Sequence, residues 1–160
     1  MRAILESCGS MPLQTFSNGM VLLEEGKTTG RVYVLATGRI EVLRGSTQIT
    51  VIDEPGSLLG EMSLLLGVPH TATARALGEV QVHAIERGEQ FFTSHPELSW
   101  LVARLLAHRL NAATTYLADL KRQFASSGDH LEMVGEVLES LIHQQDRDFH
   151  PGSDRDPGRA

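Results

Sequence analysis

The chain has little cysteine and no long apolar run. Cys8 is its only cysteine, so no intramolecular disulfide can form and nothing indicates an oxidising compartment. No apolar segment approaches the roughly 18 residues that a membrane-spanning helix needs. The N-terminus also lacks the apolar core of a signal peptide. We therefore expect a cytoplasmic protein that makes no membrane contact.

Clustered positive charge and catalytic motifs are scarce as well. The 14 basic residues are outnumbered by 20 acidic ones, giving a net charge of −6, and they form no patch that would attract nucleic acid. The seven histidines are scattered, without the close pairs that set metal geometry, and no Gly-x-Ser-x-Gly motif is present. We expect no enzyme, no metal centre and no required cofactor.

The first 95 residues contain short apolar runs separated by glycines. This spacing is typical of an all-β barrel or jelly roll. Gly45 and Ser46 suit a hairpin turn, and Pro55 with Gly56 suits a type II turn. The runs rich in Val and Ile predict strands over residues 13–16, 21–23, 32–36, 40–43, 49–52 and 80–85.

A long helix is predicted to follow over residues 96–125. Residues 94–97 have the form of a capping box, with Ser94 as the cap and Glu97 three residues later. Up to about Leu110, the apolar side of this helix is expected to pack on the barrel, and beyond it we favour a homodimer. Its apolar residues form a heptad seam, namely Ala103, Leu106, Leu110, Ala113, Leu117, Leu120 and Phe124.

The C-terminal part contains a second helix signal and a polar tail. Asp129 and Glu132 resemble another capping box, which predicts an additional amphipathic helix over residues 129–145. Either the long helix continues through residues 126–128 or this helix folds back against it. Too few residues follow in this sequence for a helix-turn-helix domain, so we do not expect DNA binding. The predicted organisation is a lead-in (1–10), a barrel domain (11–95), the two helices and a disordered tail (146–160).

The segment over residues 56–76, GSLLGEMSLLLGVPHTATARA, predicts a ligand cradle. Gly60 and Glu61 open a short helical turn, a bend at Pro69 follows, and small and β-branched residues return as a strand. The first turn of a helix has unpaired amide groups and a positive dipole end, which can meet an anion.

This segment resembles the phosphate-binding cassette of the cyclic-nucleotide-binding domains. Those domains are the sensor modules of catabolite-activator-type regulators, cyclic-nucleotide-dependent kinases and some channels. The residues that carry the resemblance are Gly60, Glu61, Met62, Leu64, Leu65, Pro69, Ala72 and Ala76. Over about residues 12–125, the resemblance implies a mainly β protein with C-terminal α structure: a jelly-roll barrel followed by a long helix and a short second helix.

The resemblance also implies a stand-alone regulatory sensor with a pocket for cAMP or cGMP. Glu61 would accept a hydrogen bond from the ribose 2′-hydroxyl, and the amides near Gly60 would face the phosphate. Thr71 would reach the same anion, and Arg109 and Thr114 would contact the ligand from the long helix. Each of these polar residues also has a structural alternative, such as capping for Glu61. The full predicted set is Gly60, Glu61, Met62, His70, Thr71, Ala72, Arg109 and Thr114.

His70 departs from the family pattern, because it stands nine residues after Glu61, where the family has an arginine that pairs with the cyclic phosphate. Arginine offers a charged bidentate fork, whereas histidine offers one usable donor and an ordinary pKa of about 6.5. Arg75 would face away from His70 in a regular strand and does not replace that contact. We expect weak, pH-sensitive binding of a cyclic nucleotide or another small anionic ligand. The alternative is an orphan module that binds an unknown partner protein.

Overall fold

A computed structural model of the chain describes residues 2–123 and 134–139. The chain divides into two compact units, Met1–Arg104 and Leu105–Ala160. The elements in chain order are α1 (Arg2–Cys8), β1 (Leu13–Phe16), β2 (Val21–Leu23), β3 (Val32–Arg44), β4 (Thr47–Ile52), β5 (Leu58–Leu59), α2 (Glu61–Leu66), β6 (Thr73–Ile85), α3 (Gly88–Ser94) and α4 (Pro96–Gln123).

The six strands form one antiparallel sheet in the first unit. Its central strands are β3 and β6, each 13 residues long, in the order β1, β6, β3, β4. Strand β2 pairs with β6 and strand β5 pairs with β3. The mainly β class predicted from the sequence is therefore confirmed.

The core of the first unit lies on one face of this sheet. In β6, Ala74 and Ala76 are buried and Arg75 between them is not, as the two-residue period of a strand requires. Phe16 and Tyr33 pack edge to face with their ring centroids 5.9 Å apart. The buried cluster contains Phe16, Leu22, Leu23, Tyr33, Leu35, Ile40, Leu59, Ala74, Ala76, Val80 and Val82. Each large apolar side chain in it contributes about 1.5 to 3 kcal/mol.

Several strand limits differ from the prediction. The strands expected over residues 32–36 and 40–43 are one strand, β3, because the pairing with β6 shifts register around Gly38 instead of ending there. The strand expected over residues 80–85 begins at Thr73, and neither β5 nor α3 was predicted. Both predicted turns are confirmed: Arg44 pairs with Thr47 across the hairpin, and Ser57 N–H donates to the Glu54 carbonyl (3.1 Å) around Gly56, whose φ is +89°.

Helix α4 starts where it was expected, but Ser94 does not cap it. Ser94 is the last residue of α3, and His95 stands between the two helices. The His95 carbonyl accepts hydrogen bonds from the amides of Leu98 (3.0 Å) and Ser99 (3.2 Å). Ser94, the expected cap of α4, therefore belongs to α3, a helix that was not predicted.

The first unit contains only the beginning of α4. Its buried residues there are Leu98 and Val102, whereas Ala103, the first member of the predicted seam, is exposed. The residues of α4 that are buried in this unit are thus offset by one sequence position from the predicted seam.

In the second unit, α4 continues to Gln123 and residues 134–139 are helical. A Cβ atom on Gly135 would lie 2.7 Å from Lys121 Nζ. One uninterrupted helix would separate these residues by about 21 Å along its axis, because each residue adds about 1.5 Å. The helix over 134–139 therefore lies beside the end of α4. Phe124, the rest of the predicted helix over 129–145 and the tail over 146–160 lie outside the described residues.

Among residues 2–123 and 134–139, no helix combines the length and apolar character needed to cross a membrane. Within the same residues, no group of three or more His, Cys, Asp or Glu side chains is placed to hold a metal ion.

Candidate functional site

The cradle predicted from the sequence is built around Gly60, which links β5 to α2. Its φ is +89°, and a Cβ atom there would lie 2.5 Å from the Arg31 carbonyl oxygen and 3.1 Å from Leu23 Cδ1. Real Cβ atoms do not approach a backbone oxygen this closely, so the contact requires glycine. Gly60 therefore lets α2 start directly against the chain that enters β3.

A cavity of about 170 Å³ lies between α2 and the loop that precedes β3. Hydroxyl groups and glycine backbone form much of its wall, with no arginine, lysine or carboxylate among the lining residues. The lining residues are Thr28, Thr29, Gly30, Gly60, Ser63, Leu64, Gly67, Val68 and His70.

His70 links the two sides of this cavity. Its side chain is buried, with 4% of the residue exposed. Its amide donates to the Lys27 carbonyl and its carbonyl accepts from the Gly26 amide, both at 2.8 Å. In the ring, Nε2 lies 2.8 Å from Thr29 Oγ1 and Nδ1 lies 3.0 Å from Ser63 Oγ. Both ring nitrogens are therefore hydrogen-bonded to hydroxyls from opposite walls.

The ionisation of His70 follows from its burial. Burial lowers the pKa of His70 from its ordinary value, because it disfavours the charged imidazolium. The ring is therefore neutral near pH 7. A neutral imidazole has one donor and one acceptor nitrogen, so one of the two hydroxyls accepts from the ring and the other donates to it.

The other predicted residues of the cassette have different positions. Glu61 is buried at the first position of α2, next to Gly60. Met62 is 46% exposed, and Thr71 is exposed, with its carbonyl accepting from Arg44 Nε at 3.2 Å. Met62, Thr71 and the partly buried Ala72 are not among the lining residues. The cavity brings together Gly60 and His70 from the predicted set.

Arg109 and Thr114 belong to the second unit, on α4. The Thr114 hydroxyl donates to the carbonyls of Leu110 and Asn111, each at 3.0 Å, a common bond of threonine within a helix. Arg109 is exposed. Their role as ligand contacts stays a prediction.

Arg75 is held away from the cavity by an ion pair. Its Nε lies 2.6 Å from Glu41 Oε1 on the neighbouring strand, on the sheet face opposite the core residues Ala74 and Ala76. This placement agrees with the expectation that Arg75 does not substitute for an arginine at position 70.

Sequence reasoning missed Thr29 and Ser63. Thr29 is 41 residues from His70, and Ser63 is seven residues before it on the other side of a bend. The only signal was the run of polar and small residues over 25–30, EGKTTG, between two apolar strands. That run predicts a loop but not what it contacts.

Comparison with known proteins identifies the family. Residues 13–92, 80 of the 160 in the chain, match the family described as "Cyclic nucleotide-binding domain". The chain belongs to the cyclic nucleotide-binding domain family. The cradle at Gly60 and Glu61 lies within the matched residues.

Two characterised proteins are similar to this chain over part of their length. The CRP-like cAMP-activated global transcriptional regulator of Mycobacterium tuberculosis is 29% identical over 111 residues, which cover 66% of this chain and 50% of the regulator. Human cGMP-dependent protein kinase 2 is 27% identical over 74 residues, covering 46% of this chain and 10% of the kinase. The chain thus spans about half the length of the regulator and a tenth of the kinase.

Solved structures show the same fold. The N-terminal domain of a transcriptional regulator from Streptomyces coelicolor is 32% identical, with a TM-score of 0.52, covering 68% of this chain and 81% of that one. The Catabolite Activator Protein of Thermus thermophilus has a TM-score of 0.61 at 20% identity, covering 89% of this chain and 82% of that one. The expected cyclic-nucleotide-binding jelly roll with C-terminal helices is thereby confirmed.

Proposed function

We propose that this chain is a regulatory sensor domain that binds a cyclic nucleotide, or a related small anionic ligand, weakly and in a pH-dependent way. The observation that carries the proposal is the hydrogen-bonded set of Thr29, His70 and Ser63 on the wall of the cavity beside α2. The family resemblance implies an arginine at position 70 that pairs with the cyclic phosphate, and this supports placing the anionic group of the ligand in the cavity beside His70.

We expect weak binding because the described residues that line this cavity include no arginine or lysine to pair with an anion. A hydrogen bond to a charged group contributes about 1.5 to 3 kcal/mol, so loss of an arginine contact lowers affinity by roughly 10-fold to 150-fold. His70 is neutral near pH 7, because burial lowers its pKa. Protonation at lower pH restores a positive charge beside the anion. The affinity for an anionic ligand is therefore expected to rise as the pH falls.

Calorimetric titration with cAMP and cGMP at pH 6 and pH 8 tests this proposal. We expect measurable binding at pH 6 that weakens at pH 8. The variant His70→Gln keeps a donor and an acceptor but cannot be protonated, so it should bind equally at both pH values. Tight binding of the wild type that does not change with pH would contradict the proposal.

We also propose that the output passes through the C-terminal helices and that α4 joins two copies of the chain. Helix α4 is 28 residues long and buries only Leu98 and Val102, while Leu110 and Tyr116 are 46% and 65% exposed. A ligand changes the helices only if it binds two arrangements of them with different affinity. The net charge of −6 opposes contact with DNA, and we propose neither DNA binding nor enzymatic activity.

The second candidate is a protein-interaction module that no longer binds a nucleotide. Within the described residues, every fully buried side-chain nitrogen and oxygen has a hydrogen-bond partner, so no fully buried polar atom needs a ligand to satisfy it. Helix α2 also exposes apolar side chains, with Met62, Leu65 and Leu66 at 46%, 56% and 62%. Absence of cAMP and cGMP binding at both pH values would favour this candidate over the sensor.

A further inference from the structure

We infer that the anionic group of the ligand is bound by the hydroxyls of Thr29 and Ser63, and that His70 is a positioning residue that turns both hydroxyls toward the ligand when it takes up a proton. This inference rests on the proposed function, because it concerns the same cavity. Neither hydroxyl was in the set expected from the family resemblance.

The accessibility of the three side chains indicates which of them a ligand would meet. The His70 ring is buried, and each of its nitrogens is covered by a hydroxyl. Thr29 is exposed, Ser63 is partly buried, and both line the cavity. A ligand in the cavity therefore meets the hydroxyls, and the ring stands behind them.

The direction of the hydrogen bonds depends on the charge of the ring. In the neutral state, the ring nitrogen without hydrogen accepts a hydrogen bond from one hydroxyl, whose hydrogen is then not available to a ligand. When a solvent proton binds that nitrogen, both ring nitrogens donate, and both hydroxyls become acceptors toward the ring. Each hydroxyl hydrogen is then free to turn into the cavity. The only covalent change is the new N–H bond.

When the His70 ring is protonated, the hydroxyl hydrogen of Thr29 must point away from the ring. Its Oγ1 already accepts the Arg31 amide at 3.2 Å. With a second N–H donated by the imidazolium, both lone pairs of this oxygen are used. The remaining O–H can only donate outward, toward the cavity or solvent. An anion there would meet a hydroxyl donor with a positive charge behind it.

Besides His70, the elements around its ring carry charged groups that contribute to the charge behind the hydroxyls. Arg31 is paired with Glu86 and Arg75 is paired with Glu41, each at 2.6 Å. Glu25, on the loop before Thr29, accepts the Gly45 amide at 2.7 Å. The other charged groups there include Lys27, whose carbonyl accepts the His70 amide, Glu24 on the same loop, and Glu61 at the start of α2. Arg44 lies beside the chain that follows His70, with its Nε donating to the Thr71 carbonyl at 3.2 Å. Burial, rather than a neighbouring charge, lowers the pKa of His70, and a bound anion opposes that effect by stabilising the imidazolium. Anion binding and proton uptake therefore favour each other.

Calorimetry of cAMP binding in buffers of low and high ionisation enthalpy measures the protons taken up per ligand bound. Near pH 7 we expect uptake of a substantial fraction of one proton by the wild type and none by His70→Gln. Thr29→Val and Ser63→Ala should each weaken binding about tenfold or more, since each removes one hydrogen bond to a charged group. Thr50→Val, on the exposed strand β4, is the matched control and should bind like the wild type.

The outcomes separate this inference from the proposed function. Binding of cAMP without proton uptake, or unchanged affinity in either hydroxyl variant, overturns the inference and leaves the sensor proposal standing. If the wild type binds neither cAMP nor cGMP between pH 6 and pH 8, the inference is overturned together with cyclic-nucleotide sensing, and the protein-interaction module is favoured. A measurement on the wild type alone gives a second test: nitrogen-15 spectra of the imidazole should show one protonated ring nitrogen in the free protein at pH 7.5 and two at saturating cAMP. One protonated nitrogen in both states overturns the inference.

Discussion

Ser63 Oγ lies 3.0 Å from His70 Nδ1, and this hydrogen bond connects helix α2 to the residue that follows the bend at Pro69. Thr29 bonds the other ring nitrogen at 2.8 Å from the opposite side. One buried imidazole thus connects two walls of the cavity. A change in its charge affects both the stability of the domain and the groups that the cavity presents.

The first prediction concerns stability against pH in the absence of ligand. Because burial lowers the pKa of His70 in the folded protein, the unfolded chain binds more protons between that lowered value and about 6.5. The free energy of unfolding should therefore fall as the pH falls below about 6.5, by at most about 1.4 kcal/mol per pH unit for this one group. Urea unfolding of the wild type and His70→Gln between pH 5 and pH 8 measures the difference. Identical pH profiles would show that His70 does not contribute.

The second prediction concerns the start of α2. Gly60→Ala should lower the free energy of unfolding by about 2 to 5 kcal/mol, combining about 1 to 2 for the left-handed backbone and about 1 to 3 for overpacking against the Arg31 carbonyl. Gly67→Ala is the matched control, because Gly67 also has positive φ (+64°) but no atom within 4 Å of its added Cβ. Gly67→Ala should lower the free energy of unfolding by only the backbone contribution of about 1 to 2 kcal/mol. Equal losses in urea unfolding would mean that the close approach at Gly60 relaxes.

The third prediction concerns an arginine at position 70, as the family resemblance implies. His70→Arg should raise the affinity for cAMP by roughly 10-fold to 150-fold, because arginine adds a charge-assisted contact to the phosphate. Arginine stays protonated, so the affinity of this variant should not change between pH 6 and pH 8. Calorimetry against the wild type measures both effects. No gain in affinity would indicate that other parts of the cavity have also diverged.

The fourth prediction concerns association through α4. Leu110 is 46% exposed, and we expect a second copy to cover it. Leu110→Glu should weaken dimerisation by at least about 100-fold, because two buried leucines are lost per dimer at about 1.5 to 3 kcal/mol each. Thr115→Glu places the same charge on an exposed position outside the seam and should leave the dimer intact. Sedimentation equilibrium tests both variants, and a monomeric wild type at tens of micromolar would refute the homodimer.

Local features account for how much of the fold could be predicted. Short apolar runs located β1, β2 and β4, and proline with glycine located the turn at Gly56. The same approach divided β3 at Gly38, because a glycine inside a strand looks the same in sequence whether the strand ends or only shifts register. It also assigned Ser94 to the wrong helix, since α3 has too short an apolar pattern to be recognised.

The sequence by itself determined the class of the protein and the position of its cradle. Alternation within strands, turn chemistry and the Gly60 and Glu61 pattern all act over a few neighbouring residues, so they can be read along the chain. Only the tertiary structure decided what surrounds His70. Its partner Thr29 is 41 residues away, and its burial depends on how the loop before β3 packs against α2. Whether that histidine is a charged ligand contact or a neutral link behind two hydroxyls is fixed by this packing.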